Sequence, residues 1–338
     1  MTAPSFDVLG FGNAIVDVLA PADDSLIDRF GLAKGSMRLC DEDEAATLYE
    51  SMGPAREISG GAAANTIVGV ASFGGRAAFV GKVRDDQLGA VFAHDIRAAG
   101  VAFDSAAAIT GPPTGRCLVL ITPDAQRTMS TFLGIAGLLG PDDVPDDLVA
   151  SAAVTYLEGF LWEQPAAKAA IKRAAKVAHS AGRKVAFTLS DSFCVERNRD
   201  EFLALIESSV DVLFANEAEA MSLFGTDDVD AAVSSLGSLV EMAALTRGPA
   251  GSVLVAGDRV EVVAASPVGD VVDTTGAGDL YAAGVLFGLA GGHDLAMAGR
   301  LGSAAAAEVI SHVGARPEAS LSDIAAAVIG AQSGTVGL

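Results

Sequence analysis

The stretch VVDTTGAGDLYAAGVLFG, residues 271–288, places two carboxylates, Asp273 and Asp279, around two threonines and a Gly-Ala-Gly. The last strand is expected to end near Val272, and Gly276, Ala277 and Gly278 to open a helix over 278–290. The first amides of a helix lack internal partners and carry the positive end of its dipole. Small side chains leave them uncovered, which makes an anion hole. Asp279 falls in the same turn. It either compensates the dipole or takes a proton from a hydroxyl that attacks a phosphoryl group held by the amides. No Gly-Lys-Ser/Thr is present, so this is not a Walker A loop.

Other candidates are scattered along the chain. In VLGFGNAIVDV, Asn13 and Asp17 follow an apolar run and can accept hydrogen bonds from vicinal hydroxyls, or serve as turn residues. Gly10-x-Gly12 is no dinucleotide fingerprint: position 15 is isoleucine and the next segment reads as β. Gly60 and Gly61 precede a helix that carries Asn65, and paired glycines let backbone approach a ligand closely. Asn216 and Glu219 have capping-box spacing; the same pair could support a hydrated magnesium ion. Thr246, Gly248 and Gly251 sit in LTRGPAGSVL, a strand end, a turn and another strand, where they could line a nucleotide.

Positioning these residues requires a frame. Apolar runs at 6–12, 77–81, 153–159, 184–190, 210–216 and 242–248 read as strands. Stretches at 62–73, 87–99, 165–181, 217–224, 278–290 and 293–312 read as helices. The alternation predicts an α/β, three-layer fold with a mostly parallel sheet flanked by helices. Ligands in such sheets sit beyond the carboxyl ends of the strands. Residues 14–40 and 107–134 break the rhythm with β-like pieces and no following helix. They are expected to form a small antiparallel sheet, a lid on a single domain spanning 1–338.

The 338 residues carry a formal charge of −21, and 51% are hydrophobic. An acidic surface repels polyphosphate, which argues against nucleic acid as a partner. Cys40, Cys117 and Cys194 lack metal-ligand spacing and read as thiols in a reducing compartment. With no basic leader and no long apolar run, no membrane segment is expected and a cytoplasmic location is.

Together, GGAAANTIVGVASFGG with the glycine of VGKV, then NEAE, TRGPAG and DTTGAGDLYAAGVL, in that order, resemble the ribokinase-like (PfkB) carbohydrate kinase family over residues 5–325. GFGNAIVDV looks most like its adenosine kinase branch. The resemblance implies ATP-dependent phosphorylation of a primary hydroxyl on adenosine, or on a free sugar such as ribose, fructose or a 2-keto-3-deoxy acid. It implies Asp279 as catalytic base and Gly276, Ala277 and Gly278 as the anion hole. Asn13, Asp17, Gly60, Gly61, Asn65 and Glu158 would bind or border the acceptor. Asn216, Thr246, Gly248, Gly251 and Ser303 would face ATP. Asn216 and Glu219 would organise Mg2+ through waters, and Asp273 with Thr275 would hold a monovalent cation such as K+. Family lids leave monomer and homodimer both open.

Overall fold

The computed structural model describes residues 3–124 and 126–333. Thirteen strands form two sheets among these residues. They are β1 (Phe6–Phe11), β2 (Ile15–Pro21), β3 (Met37–Leu39), β4 (Arg56–Gly60), β5 (Ala77–Val80), β6 (Thr114–Ile121), β7 (Arg127–Gly134), β8 (Ala152–Glu158), β9 (Lys184–Thr188), β10 (Val212–Asn216), β11 (Met242–Thr246), β12 (Ser252–Ala256) and β13 (Arg259–Val263). The large sheet has the order β13-β12-β11-β10-β9-β8-β1-β5. It is parallel from β5 to β11, and β12 and β13 add antiparallel strands at one edge.

Alternate residues of each parallel strand enter different cores. Val8, Phe79, Tyr156 and Phe214 pack with the helices Ala62–Ser72, Gln87–Ala98 and Ala277–Ala290. Their neighbours Leu9, Val80, Leu157 and Leu213 pack with the helices Pro165–Ser180, Ser192–Ser209, Glu217–Phe224 and Val229–Leu239. Burial on both faces explains why these strands are nearly continuous apolar runs. The six expected strands and six expected helices of the main layer are present, with shifts of a few residues at their ends.

Three departures from the expectation bear on the site. The second sheet, β3-β7-β6-β2-β4, is mixed rather than antiparallel: β2 and β3 pair parallel with β6 and β7. Only β6 and β7 form a hairpin; β2 and β6 are joined through other elements, so no tight turn forces them antiparallel. This sheet also recruits β4, which no expected strand covers, and its connections carry short helices at Asp24–Arg29 and Glu42–Ser51. Finally, Val271 and Val272 are not in a strand. Both are exposed, and the Val272 amide donates to the Ile310 carbonyl at 2.8 Å, beyond the end of the helix Leu295–Val309. The backbone of this segment is engaged by that helix end instead of by a strand.

Small residues bring the site-bearing helices together. A Cβ on Gly69 would lie 2.6 Å from Ala283 Cβ, and one on Gly284 would lie 2.5 Å from the Gly302 amide. The helices Ala62–Ser72, Ala277–Ala290 and Leu295–Val309 therefore pack almost backbone to backbone. Asn65 and Asp279 are carried on the first two.

Candidate active site

Three cavities meet at the N-terminus of the helix Ala277–Ala290. One, of about 340 Å3, is bordered by Asn13, Asp17, Gly61, Asn65, Glu158 and Asp279, and also by the apolar Ile15, Cys117, Met129, Leu133 and Phe160. A middle one, of about 190 Å3, adds Asn216, Glu219, Thr246 and Gly278 to Asp279. The third, of about 460 Å3, is bordered by Thr246, Gly248, Gly251, Gly278 and Ser303 among mainly apolar neighbours. Asp279 borders the first two and Gly278 the last two.

The loop before this helix bends as its glycine requires. Gly276 has φ of +79°, and a Cβ there would lie 2.7 Å from Ala315 Cβ. The first helical bond runs from the Leu280 amide to the Gly276 carbonyl, 2.8 Å. The Ala277 amide closes the turn onto the Thr274 carbonyl at 3.2 Å, so it is already engaged. No protein acceptor meets the Gly276, Gly278 and Asp279 amides among the described residues. The open donors thus differ from the expected set in one member, Asp279 in place of Ala277, because a tight turn consumes the amide of its last residue.

Asp279 Oδ2 accepts a hydrogen bond from Asn65 Nδ2 at 2.9 Å. Burial pushes the Asp279 carboxyl up to about 6, with the Asn65 bond and the nearby Arg316 charge opposing. Asp17 is likewise raised to about 6 by burial, opposed by Arg316 and Arg127. Gly60 packs against that carboxyl: a Cβ would lie 2.4 Å from Asp17 Cγ. Asn13 Oδ1 and Asn65 Oδ1 are buried with no protein partner, and both residues border the first cavity. Buried acceptors without donors call for donors from a ligand, and hydroxyl groups supply them.

Glu158 borders the first cavity and has protein partners of its own. Its Oε1 accepts from the Asn13 amide (2.7 Å) and Asn13 Nδ2 (2.8 Å), and its Oε2 accepts from the Ala63 amide (2.7 Å). The carboxylate therefore positions Asn13 and the first turn of the helix Ala62–Ser72. Burial raises its carboxyl to about 7 against these hydrogen bonds.

Asn216 and Glu219 form a reciprocal capping box. Glu219 N donates to Asn216 Oδ1 at 2.9 Å, and Asn216 N and Nδ2 donate to Glu219 Oε2 and Oε1 at 3.0 and 2.7 Å. Each carboxylate oxygen keeps a further acceptor position, and Glu219 borders the middle cavity. This donor set fits a magnesium ion held through waters rather than directly. Among the described residues, no group of three or more His, Cys, Asp or Glu side chains could hold a metal by itself.

Asp273 and Thr275 are brought together, and the Asp273 carboxylate is met by donors from the protein. Asp273 Oδ1 accepts from the Thr275 amide (3.1 Å) and hydroxyl (2.8 Å), and Oδ2 accepts from the Gly314 amide (2.8 Å). Arg127 Nη2, from β7, lies 2.6 Å from Asp273 Oδ2.

Sequence reasoning missed two arginines. Arg316 donates to the Ser59 carbonyl (3.1 and 3.0 Å) and to the Ala64 carbonyl (2.9 Å), tying the C-terminal segment to β4 and to the helix bearing Asn65. Burial lowers its guanidinium to about 10, while Asp17 and Asp279 oppose the shift. Arg127 is the other. Neither belongs to a short motif, and no spacing in the sequence announces where it docks.

A helix N-terminus with open amides, a carboxylate beside it and cavities on both sides is the layout of a phosphoryl-transfer enzyme built on an α/β sheet. Residues 41–321 match the model of the pfkB family carbohydrate kinases, and the chain belongs to that family. It is similar to the structure of adenosine kinase from Sinorhizobium meliloti, at 52% identity and a TM-score of 0.90 over 95% of this chain and 98% of that one. It is also similar to a probable sugar kinase from Rhizobium etli CFN 42, at 47% identity and a TM-score of 0.91 over 97% and 99% of the two chains. Guanosine-inosine kinase of Escherichia coli (strain K12) is 26% identical over 266 residues, 72% of this chain; the match spans 58% of that protein's length. Among the described residues, no helix is long and apolar enough to cross a membrane.

Proposed function

We propose that this protein transfers the γ-phosphoryl group of ATP to the primary hydroxyl of a nucleoside, with adenosine as acceptor. The observation that carries the reading is the first cavity. It presents Asp17 and the unpartnered Asn13 and Asn65 oxygens, as vicinal hydroxyls require. Phe160, Met129 and Ile15 also line it and suit the flat face of a base. A free sugar would leave those apolar side chains uncovered. Similarity to the Sinorhizobium meliloti adenosine kinase supports the same reading.

In this reading the acceptor hydroxyl lies against Asp279, whose Oδ2 is held by Asn65 while Oδ1 takes the proton. The hydroxyl oxygen bonds to the γ-phosphorus as the bond to the β,γ-bridging oxygen breaks. The amides of Gly276, Gly278 and Asp279 face the negative charge on the transferring group. Kinases of this family use ATP with Mg2+, and Asn216 and Glu219 would hold the ion's waters; when bound, it neutralises phosphate charge. ATP's base would occupy the cavity bordered by Gly248, Gly251 and Ser303. The second sheet acts as the lid: it carries Ile15, Cys117 and Met129 over the acceptor and excludes water as a competing acceptor.

Transfer from ATP to adenosine, ribose and fructose, assayed in parallel, tests the acceptor. Burying a base against the apolar side chains contributes about 2–3 kcal/mol. Ribose is therefore expected to show kcat/KM about two orders of magnitude below adenosine. Rapid turnover of ribose or fructose without turnover of adenosine would overturn the reading in favour of a free-sugar kinase.

The pH profile follows from the same groups. Asp279 and Asp17 must both be ionised, one to take a proton and the other to accept hydroxyl hydrogens. Both are raised to about 6. Protonation below that value removes the active form, so kcat/KM is expected to be flat above about pH 7 and to fall steeply below about pH 6. A profile flat down to about pH 4.5, near the ordinary carboxylate range, would show that neither raised carboxylate is needed.

A further inference from the structure

We infer that Arg127 occupies the electrostatic place at Asp273 that a monovalent cation would otherwise take, so that this phosphate loop works without potassium. A carboxylate offers about four acceptor positions. Three at Asp273 are filled by the Thr275 amide, the Thr275 hydroxyl and the Gly314 amide, at 3.1, 2.8 and 2.8 Å. Arg127 Nη2 also lies 2.6 Å from Oδ2, as a charge contact and not an aligned hydrogen bond. Arg127 Nη1 also donates to Thr275 Oγ1 at 3.4 Å, so the guanidinium spans both side chains expected to ligate the ion.

The pair is well shielded. Its side chains are 10% and 5% exposed, so neither solvent nor salt screens it strongly. A cation entering here would meet a fixed positive charge at contact distance and no free carboxylate oxygen. A guanidinium supplies the same countercharge permanently, because it stays protonated. Its tether adds a second consequence. Arg127 begins β7 of the second sheet, whereas Asp273 lies three residues before Gly276. Neutralisation of the loop is therefore coupled to the second sheet's position, and not to the salt composition of the medium.

The inference rests on reading residues 273–279 as the phosphate loop, and its test includes readouts that need no turnover. The full chain is placed in tetramethylammonium chloride, and potassium chloride is exchanged in at constant ionic strength. Thermal unfolding, the NMR signal of thallium(I) as a potassium surrogate, and ATP-dependent transfer to adenosine are followed. For the natural chain, the midpoint and the rate are expected to be unchanged within about twofold and no thallium to be held. Arg127→Ala leaves Oδ2 open. Potassium should then raise its midpoint, thallium should bind, and a depressed rate should recover about tenfold or more. Arg127→Lys, which restores a charge, should again ignore potassium. Activation or stabilisation of the natural chain by potassium overturns the inference, and so does an Arg127→Ala chain indifferent to potassium and thallium. If Arg127→Ala does not fold, Arg127→Gln carries the same test. Loss of adenosine turnover in the natural chain, with the ion responses as expected, would instead count against the proposed acceptor alone.

Discussion

Asp279→Asn is expected to lower kcat for transfer to adenosine by about 10²–10⁴-fold while leaving adenosine binding within about threefold. The asparagine keeps the shape. Its carbonyl oxygen can still accept from Asn65 Nδ2, which lies 2.9 Å from Asp279 Oδ2. Its amide nitrogen then faces the acceptor hydroxyl, where it donates and takes no proton. The fold should tolerate the change, because burial already disfavours the charged form of this carboxyl. Steady-state kinetics give the first quantity and calorimetric titration with adenosine the second. A variant with near-normal kcat would remove Asp279 from the role of base.

Gly276→Ala is expected to be nearly as damaging, by a different route. At φ of +79° an L-residue carries about 1–2 kcal/mol of strain. Its Cβ would also stand 2.7 Å from Ala315 Cβ and 2.8 Å from Ala315 Cα, so backbone must give way. The turn that aims the Gly276, Gly278 and Asp279 amides would shift with it. Loss of one such donor costs about 10²–10³ in kcat. We therefore expect a fall of that size in kcat, with a smaller fall in the thermal midpoint. The contrasting control is Gly278→Ala, whose Cβ would meet nothing within 4 Å and whose fold should be unaffected. A Gly276→Ala chain with natural kcat would show that the turn's geometry does not matter to the chemistry.

Much of the main layer was legible in the sequence because of a simple physical constraint. A parallel strand buried on both faces must be apolar at successive positions, as VLGF in β1 and VLFA in β10 are. Glycine at a left-handed position is equally legible: Gly61 and Gly276 have φ of +99° and +79°, which other residues avoid. The capping spacing of Asn216 and Glu219 also produced the cap it predicts.

Other features left no comparable trace. β4 is not among the expected strands: it is short and ends in the glycine demanded by the Asp17 carboxyl, a contact across two strands. Val271 and Val272 read as a strand because local β propensity says nothing of the tertiary partner, here the Ile310 carbonyl, that takes the backbone. The turn at Thr274 spent the Ala277 amide, and no residue type signals that.

The sequence alone determined the residue types at the phosphate loop, the sheet class and the pairing of Asn216 with Glu219, because each follows from local backbone chemistry and short-range periodicity. The tertiary structure alone decided what stands beside the carboxylates. It turned Glu158 inward to hold Asn13, set Arg316 against the helix bearing Asn65, and placed Arg127 on Asp273. These contacts join residues 145, 252 and 146 positions apart in the chain, and such distances are closed only by packing. An arginine's reach and a carboxylate's acceptors are written in the sequence; which of them meet is fixed by how the two sheets and the small-residue helices fit together.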